Sequence, residues 1–146
     1  MGWAMGWAGA VVALGWLATL SVCDIRWRRL PNRLTLPGAV VVLMAAAAAG
    51  HGVPALLGSM ALTGVYLIVH LLAPAAMGAG DVKLALGLGG MTGAFGPEVW
   101  TLAALAAPLL TGVLGVIALI RSAARTVPHG PSMCVASAGA VALAIL

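Results

Sequence analysis

Three acidic side chains occur in a chain of 146 residues: Asp24, Asp81 and Glu98. An ionised carboxylate is costly among apolar helices unless it is hydrated or paired, so acids in such a setting are read first as functional. Asp24 opens the string Asp24-Ile25-Arg26-Trp27-Arg28-Arg29-Leu30-Pro31-Asn32-Arg33, and Asp81 lies within Met77-Gly78-Ala79-Gly80-Asp81-Val82-Lys83-Leu84. Two carboxylates that share a site do not both ionise easily, so one holds a proton near neutral pH. The ionised member then takes a proton from water while the protonated one polarises a peptide carbonyl, which hydrolyses an amide without a nucleophilic side chain, a metal or a cofactor. Gly78 and Gly80 fit beside such a pair, because residues without Cβ let the backbone bend sharply and let a substrate strand come close. Plainer readings exist for each acid alone. Asp24 would be an interfacial residue paired with Arg26 or Arg28, and Asp81 the N-cap of a helix. Two acids at one face of a chain this poor in acids favour the shared site.

The elements that must position them are membrane helices. Hydrophobic residues make up 63% of the chain and charged residues 7%, against roughly 25% charged in soluble domains, and the mean hydropathy is +1.15. Crossing a bilayer takes about 20 apolar residues. Residues 3–23, 53–73 and 98–120 meet that length, while 34–50, 82–97 and 131–146 are short or rich in glycine. Counting all six places Arg26, Arg28, Arg29, Arg33, Lys83, Arg121 and Arg125 on one side and Glu98 on the other, as the positive-inside rule requires. The expectation is an all-α integral membrane bundle of six helices spanning residues 1–146 as one domain, with both termini outside. The cytoplasmic loops fall near 24–33, 74–83 and 121–131, and the external turns at His51-Gly52-Val53-Pro54 and Phe95-Gly96-Pro97. Asp24 and Asp81 then share one depth and meet if helices one and four pack together.

The net charge of +4 comes from these loops and reads as topology and lipid anchoring, not as a nucleic-acid surface. Cys23 and Cys134 form no Cys-x-x-Cys element, which argues against structural zinc. The first span reads as a retained helix, not a removed signal peptide. Gly58, Gly64, Gly87, Gly89 and Gly93 read as sites of close helix packing. Trp3, Trp7, Trp27 and Trp100 fall near the interfaces as belt residues, and Trp16 is deeper and packs. His70 reads as a hydrogen-bonded helix-end histidine, and Lys83 as either a partner of the site or a side chain reaching to headgroups.

Asp24 with its basic residues and Leu30-Pro31-Asn32, followed by Gly78-Ala79-Gly80-Asp81-Val82-Lys83-Leu84, resembles the two signatures of the prepilin peptidases, membrane aspartyl proteases that process type IV pilin-like precursors. Val127-Pro128-His129-Gly130-Pro131 is similar to a third, weaker signature, with His129 where an aromatic residue is expected. The resemblance implies Asp24 and Asp81 as the catalytic pair, and Gly78, Gly80 and Lys83 as parts of the loop that shapes the site. It also implies a short form, like the enzymes of tight-adherence (Flp) pilus systems, without the cysteine-rich domain associated with methyltransferase activity. The expected activity is removal of a short basic leader from a pilin-like precursor, by a multi-pass plasma-membrane protein whose site is at the cytoplasmic face. Two alternatives remain: a presenilin-like protease that cuts within a transmembrane segment, and a non-enzymatic proton- or cation-coupled carrier or secretion-assembly subunit. The Leu-Pro-Asn element weighs against the first, and the absence of a midplane acid or internal repeat against the second.

Overall fold

A computed structural model describes residues 2–122 and 127–146, with side chains from residue 6 onward. Its six helices are α1 Gly2–Trp27, α2 Asn32–Ala48, α3 Gly52–Leu72, α4 Ala79–Gly93, α5 Pro97–Ile120 and α6 Gly130–Ile145. Each falls within four residues of a span expected from sequence. Arg125 and the Trp3 side chain lie outside what is described. Gly50, just before the first turn expected outside, and Gly96, within the second, have φ of +83° and +112°, where glycine avoids the strain of a Cβ.

Among the described residues, three helices are long and apolar enough to cross a bilayer: Gly6–Trp27 within α1, Gly52–Leu72 and Pro97–Ile120. Asn32–Ala48 and Gly130–Ile145 are shorter apolar helices. Large apolar side chains such as Val11, Leu57, Ile68, Leu109, Val116 and Leu119 point outward. A water-soluble surface does not tolerate such continuous apolar cover, whereas acyl chains do.

α4 is the inner helix. It has 15 residues, about 22 Å at 1.5 Å per residue, and packs against α2, α3, α5 and α6. Leu84, Ala85, Gly87, Leu88, Gly89, Gly90, Thr92 and Gly93 are all buried in it. This explains why it reads weakly as a span: a helix wrapped by others needs small residues for close approach more than it needs hydrophobicity. A Cβ on Gly58 of α3 would stand 2.5 Å from the Gly89 carbonyl oxygen, and one on Gly89 would stand 2.5 Å from that of Gly58. The two backbones therefore touch. Gly64, expected to pack likewise, has open space beside it. Trp100, read as a belt residue, donates its indole N–H to the Gly58 carbonyl at 3.0 Å and so belongs to this interface.

The condition for the two acids to meet, that helices one and four pack together, is fulfilled through side chains and not through backbone approach. α1 lies on α6 and, more lightly, on α2, and among the described residues it makes no direct backbone contact with α4. Trp16 fills the space between them, donating to the Leu34 carbonyl at 2.8 Å, and a Cβ on Gly87 of α4 would come within 2.7 Å of its ring. Below it Leu17, Leu20, Leu84, Leu88 and Met133 form the shared core of α1, α4 and α6. It is α6, not α4, that receives the end of α1 carrying the first aspartate.

Candidate active site

Asp24 lies in the last turn of α1, not in the loop beyond it. α1 continues to Trp27, and Arg28, at φ +52°, closes it by donating its N–H to the Asp24 carbonyl at 3.0 Å. The Asp24 side chain is 8% exposed. Its Oδ2 accepts the Gly130 N–H at 3.0 Å. Gly130 is the first residue of α6, where backbone N–H groups have no partner within the helix and the dipole favours negative charge. A side chain does not fit there: a Cβ on Gly130 would lie 2.6 Å from Asp24 Oδ2. The charge of Arg28 also acts on Asp24, which leaves the interfacial pairing as one component of this environment.

Asp81 is the third residue of α4, and the N-cap is Gly78, not Asp81. The Asp81 N–H donates to the Gly78 carbonyl at 3.2 Å, and the Gly78 amide also acts on the Asp81 carboxylate. Each acid thus has a glycine backbone beside it, Gly130 for Asp24 and Gly78 for Asp81. Gly78 itself has φ −75° and ψ 150°, a conformation open to any residue, so the sharp bend expected of it is not what the backbone uses. Gly80 does serve close approach, since a Cβ there would sit 3.3 Å from Leu30 Cβ.

Both carboxylates line one cavity of about 810 Å³ at the end of the bundle formed by the start of α2, the start of α4 and the last turn of α1. They are close enough for the charge of Asp24 to act on Asp81. Leu30, Pro31, Asn32, Gly78, Gly80 and Lys83 complete its wall, so the two sequence signatures face each other across it. Lys83 donates to Asn32 Oδ1 at 2.9 Å, joining the signatures directly. His70 donates from Nδ1 to the Met77 carbonyl at 2.6 Å and fastens the turn that leads into Gly78. Such an arrangement has what amide hydrolysis by a carboxylate pair requires: two acids from separate helices, a shared field, and room for water and an extended peptide.

Sequence reading did not find the groups behind Asp24. Gly130 stood within a weak string, while Tyr66 and Thr111 carried no signal. In the fold Tyr66 Oη lies 2.8 Å from His129 Nε2 and Thr111 Oγ1 lies 2.6 Å from His129 Nδ1. Burial pushes the His129 imidazole toward its neutral form.

Comparison with curated proteins and with solved structures gives no match. The family comparison is positive, and the matched stretch holds Asp24 and Asp81 but ends before Gly130. Over residues 11–120 the chain matches the type IV leader peptidase family, Peptidase_A24, and it belongs to that family.

Proposed function

We propose that this chain is a membrane aspartyl endopeptidase in which Asp24 and Asp81 are the catalytic pair and which removes the short basic leader from a type IV pilin-like precursor. The observation that carries the reading is that the two acids line one cavity, Asp24 held by the amide that opens α6 and Asp81 set in the first turn of α4. One carboxylate, ionised, takes a proton from water. The other, protonated, donates to the scissile carbonyl and receives charge as the tetrahedral intermediate forms; collapse of that intermediate returns a proton to the leaving amine. Water is the nucleophile, and the chemistry calls for no metal or cofactor. Gly78, Gly80 and Lys83 shape the wall against which the substrate strand lies.

The same reading places six spans in the plasma membrane, both termini outside, with the basic residues and the cavity at the cytoplasmic face and residues 1–146 as one domain. α2, α4 and α6 are short for a full hydrocarbon core, and local thinning of the bilayer beside them would bring water toward the acids. The substrate's hydrophobic helix enters laterally from the lipid and unwinds at its end, because a peptide bond inside a helix is shielded. Mass spectrometry of a pilin-like precursor incubated in membranes holding wild type, Asp24→Asn or Asp81→Asn tests this. Cleavage just before the hydrophobic segment, lost in both variants while both remain in the membrane, is expected. Full cleavage by either variant removes that residue from the pair.

A further inference from the structure

We propose that His129 is a positioning residue for the reaction, held by Tyr66 and Thr111 so that the neighbouring Gly130 N–H stays aimed at the Asp24 carboxylate. The inference rests on the reading of Asp24 as a catalytic acid and adds three residues from outside the two signatures.

One arrangement of protons satisfies all of these contacts at once. Thr111 Oγ1 donates its single hydrogen to the Ala107 carbonyl at 3.1 Å. Toward His129 it must then accept, so Nδ1 carries the hydrogen across the 2.6 Å contact. Nε2 of a neutral ring is left as an acceptor, and the Tyr66 hydroxyl donates to it at 2.8 Å. Every polar atom in the chain Tyr66, His129, Thr111, Ala107 is satisfied once. Tyr66 is 5% exposed, so losing a partner there leaves a polar group without water to replace it.

The placement gives this chain of bonds its consequence. Tyr66 comes from α3 and Thr111 from α5, while His129 is the N-cap residue of α6 and its carbonyl accepts the Met133 N–H at 3.0 Å. One ring therefore ties the start of α6 to two other helices. The next residue is Gly130, whose N–H holds Asp24 Oδ2 at 3.0 Å. The charge of Asp81 in turn reaches Tyr66, so the same buried chain borders both acids. Without the ring anchored on both sides, the first turn of α6 has no side-chain cap to hold it, and a helix start of this kind frays. Precise aim at a carboxylate is lost before the helix is.

The experiment measures kcat and KM for cleavage of a pilin-like precursor, with thermal midpoints in the same detergent, for wild type, Tyr66→Phe, Thr111→Val, Thr111→Ser and Asp24→Asn. The expected result for Tyr66→Phe and Thr111→Val is a fall in kcat of roughly tenfold, equivalent to about 1.4 kcal/mol, with KM unchanged. Thr111→Ser restores the hydroxyl and the rate. Wild-type kcat in both Tyr66→Phe and Thr111→Val, with Asp24→Asn inactive, overturns the positioning role and leaves the catalytic pair standing. So does a loss in Thr111→Val that Thr111→Ser does not rescue. Activity in Asp24→Asn overturns the assignment of Asp24, and this inference with it.

Discussion

Replacing Gly130 with alanine adds one methyl group at the point where α6 meets Asp24. The added Cβ would stand 2.6 Å from Oδ2, 3.0 Å from Cγ and 3.3 Å from Cβ of Asp24. Carbon–oxygen contact normally needs more than 3 Å, so the carboxylate must withdraw by several tenths of an ångström or rotate off the amide. The backbone does not oppose the change, because Gly130 is not among the glycines with positive φ, and alanine is favoured over glycine within a helix by about 1 kcal/mol. The disturbance is thus confined to the acid. A hydrogen bond to a charged group contributes about 1.5–3 kcal/mol, and each 1.36 kcal/mol is tenfold in rate. The expected outcome is a fall in kcat of roughly ten- to a hundredfold, with KM and the amount of protein in the membrane close to wild type. The assay is precursor cleavage followed by gel or mass spectrometry over time, with Gly139→Ala on the same helix as the control, since its Cβ would meet nothing within 4 Å. Gly130→Ala with the wild-type rate would refute the claim that this amide serves the acid.

Gly89→Ala forces a Cβ against the backbone of α3, 2.5 Å from the Gly58 oxygen, and should lower the thermal midpoint by an amount equivalent to about 1–3 kcal/mol; Gly64→Ala, with open space beside it, should not. Lys83→Met and Asn32→Ala each remove the 2.9 Å bond between the two signatures and should each slow cleavage roughly two- to tenfold. A double variant no slower than the singles supports the coupling, and multiplied effects count against it. His129, faced by Tyr66 from α3 and Thr111 from α5 and joined through Gly130 to Asp24, has its pKa lowered from 6.5 by burial. A depressed folded value means that its contribution to stability is fully present above about pH 6.5 and is lost as pH falls below that toward the folded value. Melting curves in detergent should therefore decline on acidification in wild type and be flatter in His129→Gln. An equal decline in the two would assign it to other groups.

Much of this was legible in the residues. Apolar length located the helices, because a segment long and apolar enough to cross lipid is constrained in composition residue by residue. The scarcity of acids singled out Asp24 and Asp81, since each stands at a high solvation cost, and the Gly-x-Gly-Asp and Leu-Pro-Asn strings pointed to the family that the chain belongs to. These are local properties, and local properties are written along the chain.

What tertiary structure decided is how the pieces meet. That α4 is the wrapped helix is hidden in its composition, because small residues signal close packing without naming the neighbour. That the backbone of α1 lies on α6 while Asp24 still shares a cavity with Asp81 follows from Trp16 and the leucines beneath it filling the space between α1 and α4, a matter of volume that no periodicity records. The bond from Gly130 to Asp24 joins residues 106 positions apart, and the donor is a backbone amide that every residue except proline possesses, so no side chain there announces it. Tyr66 and Thr111 lie on long apolar helices where a tyrosine or a threonine is ordinary, and only the folded bundle turns them toward His129.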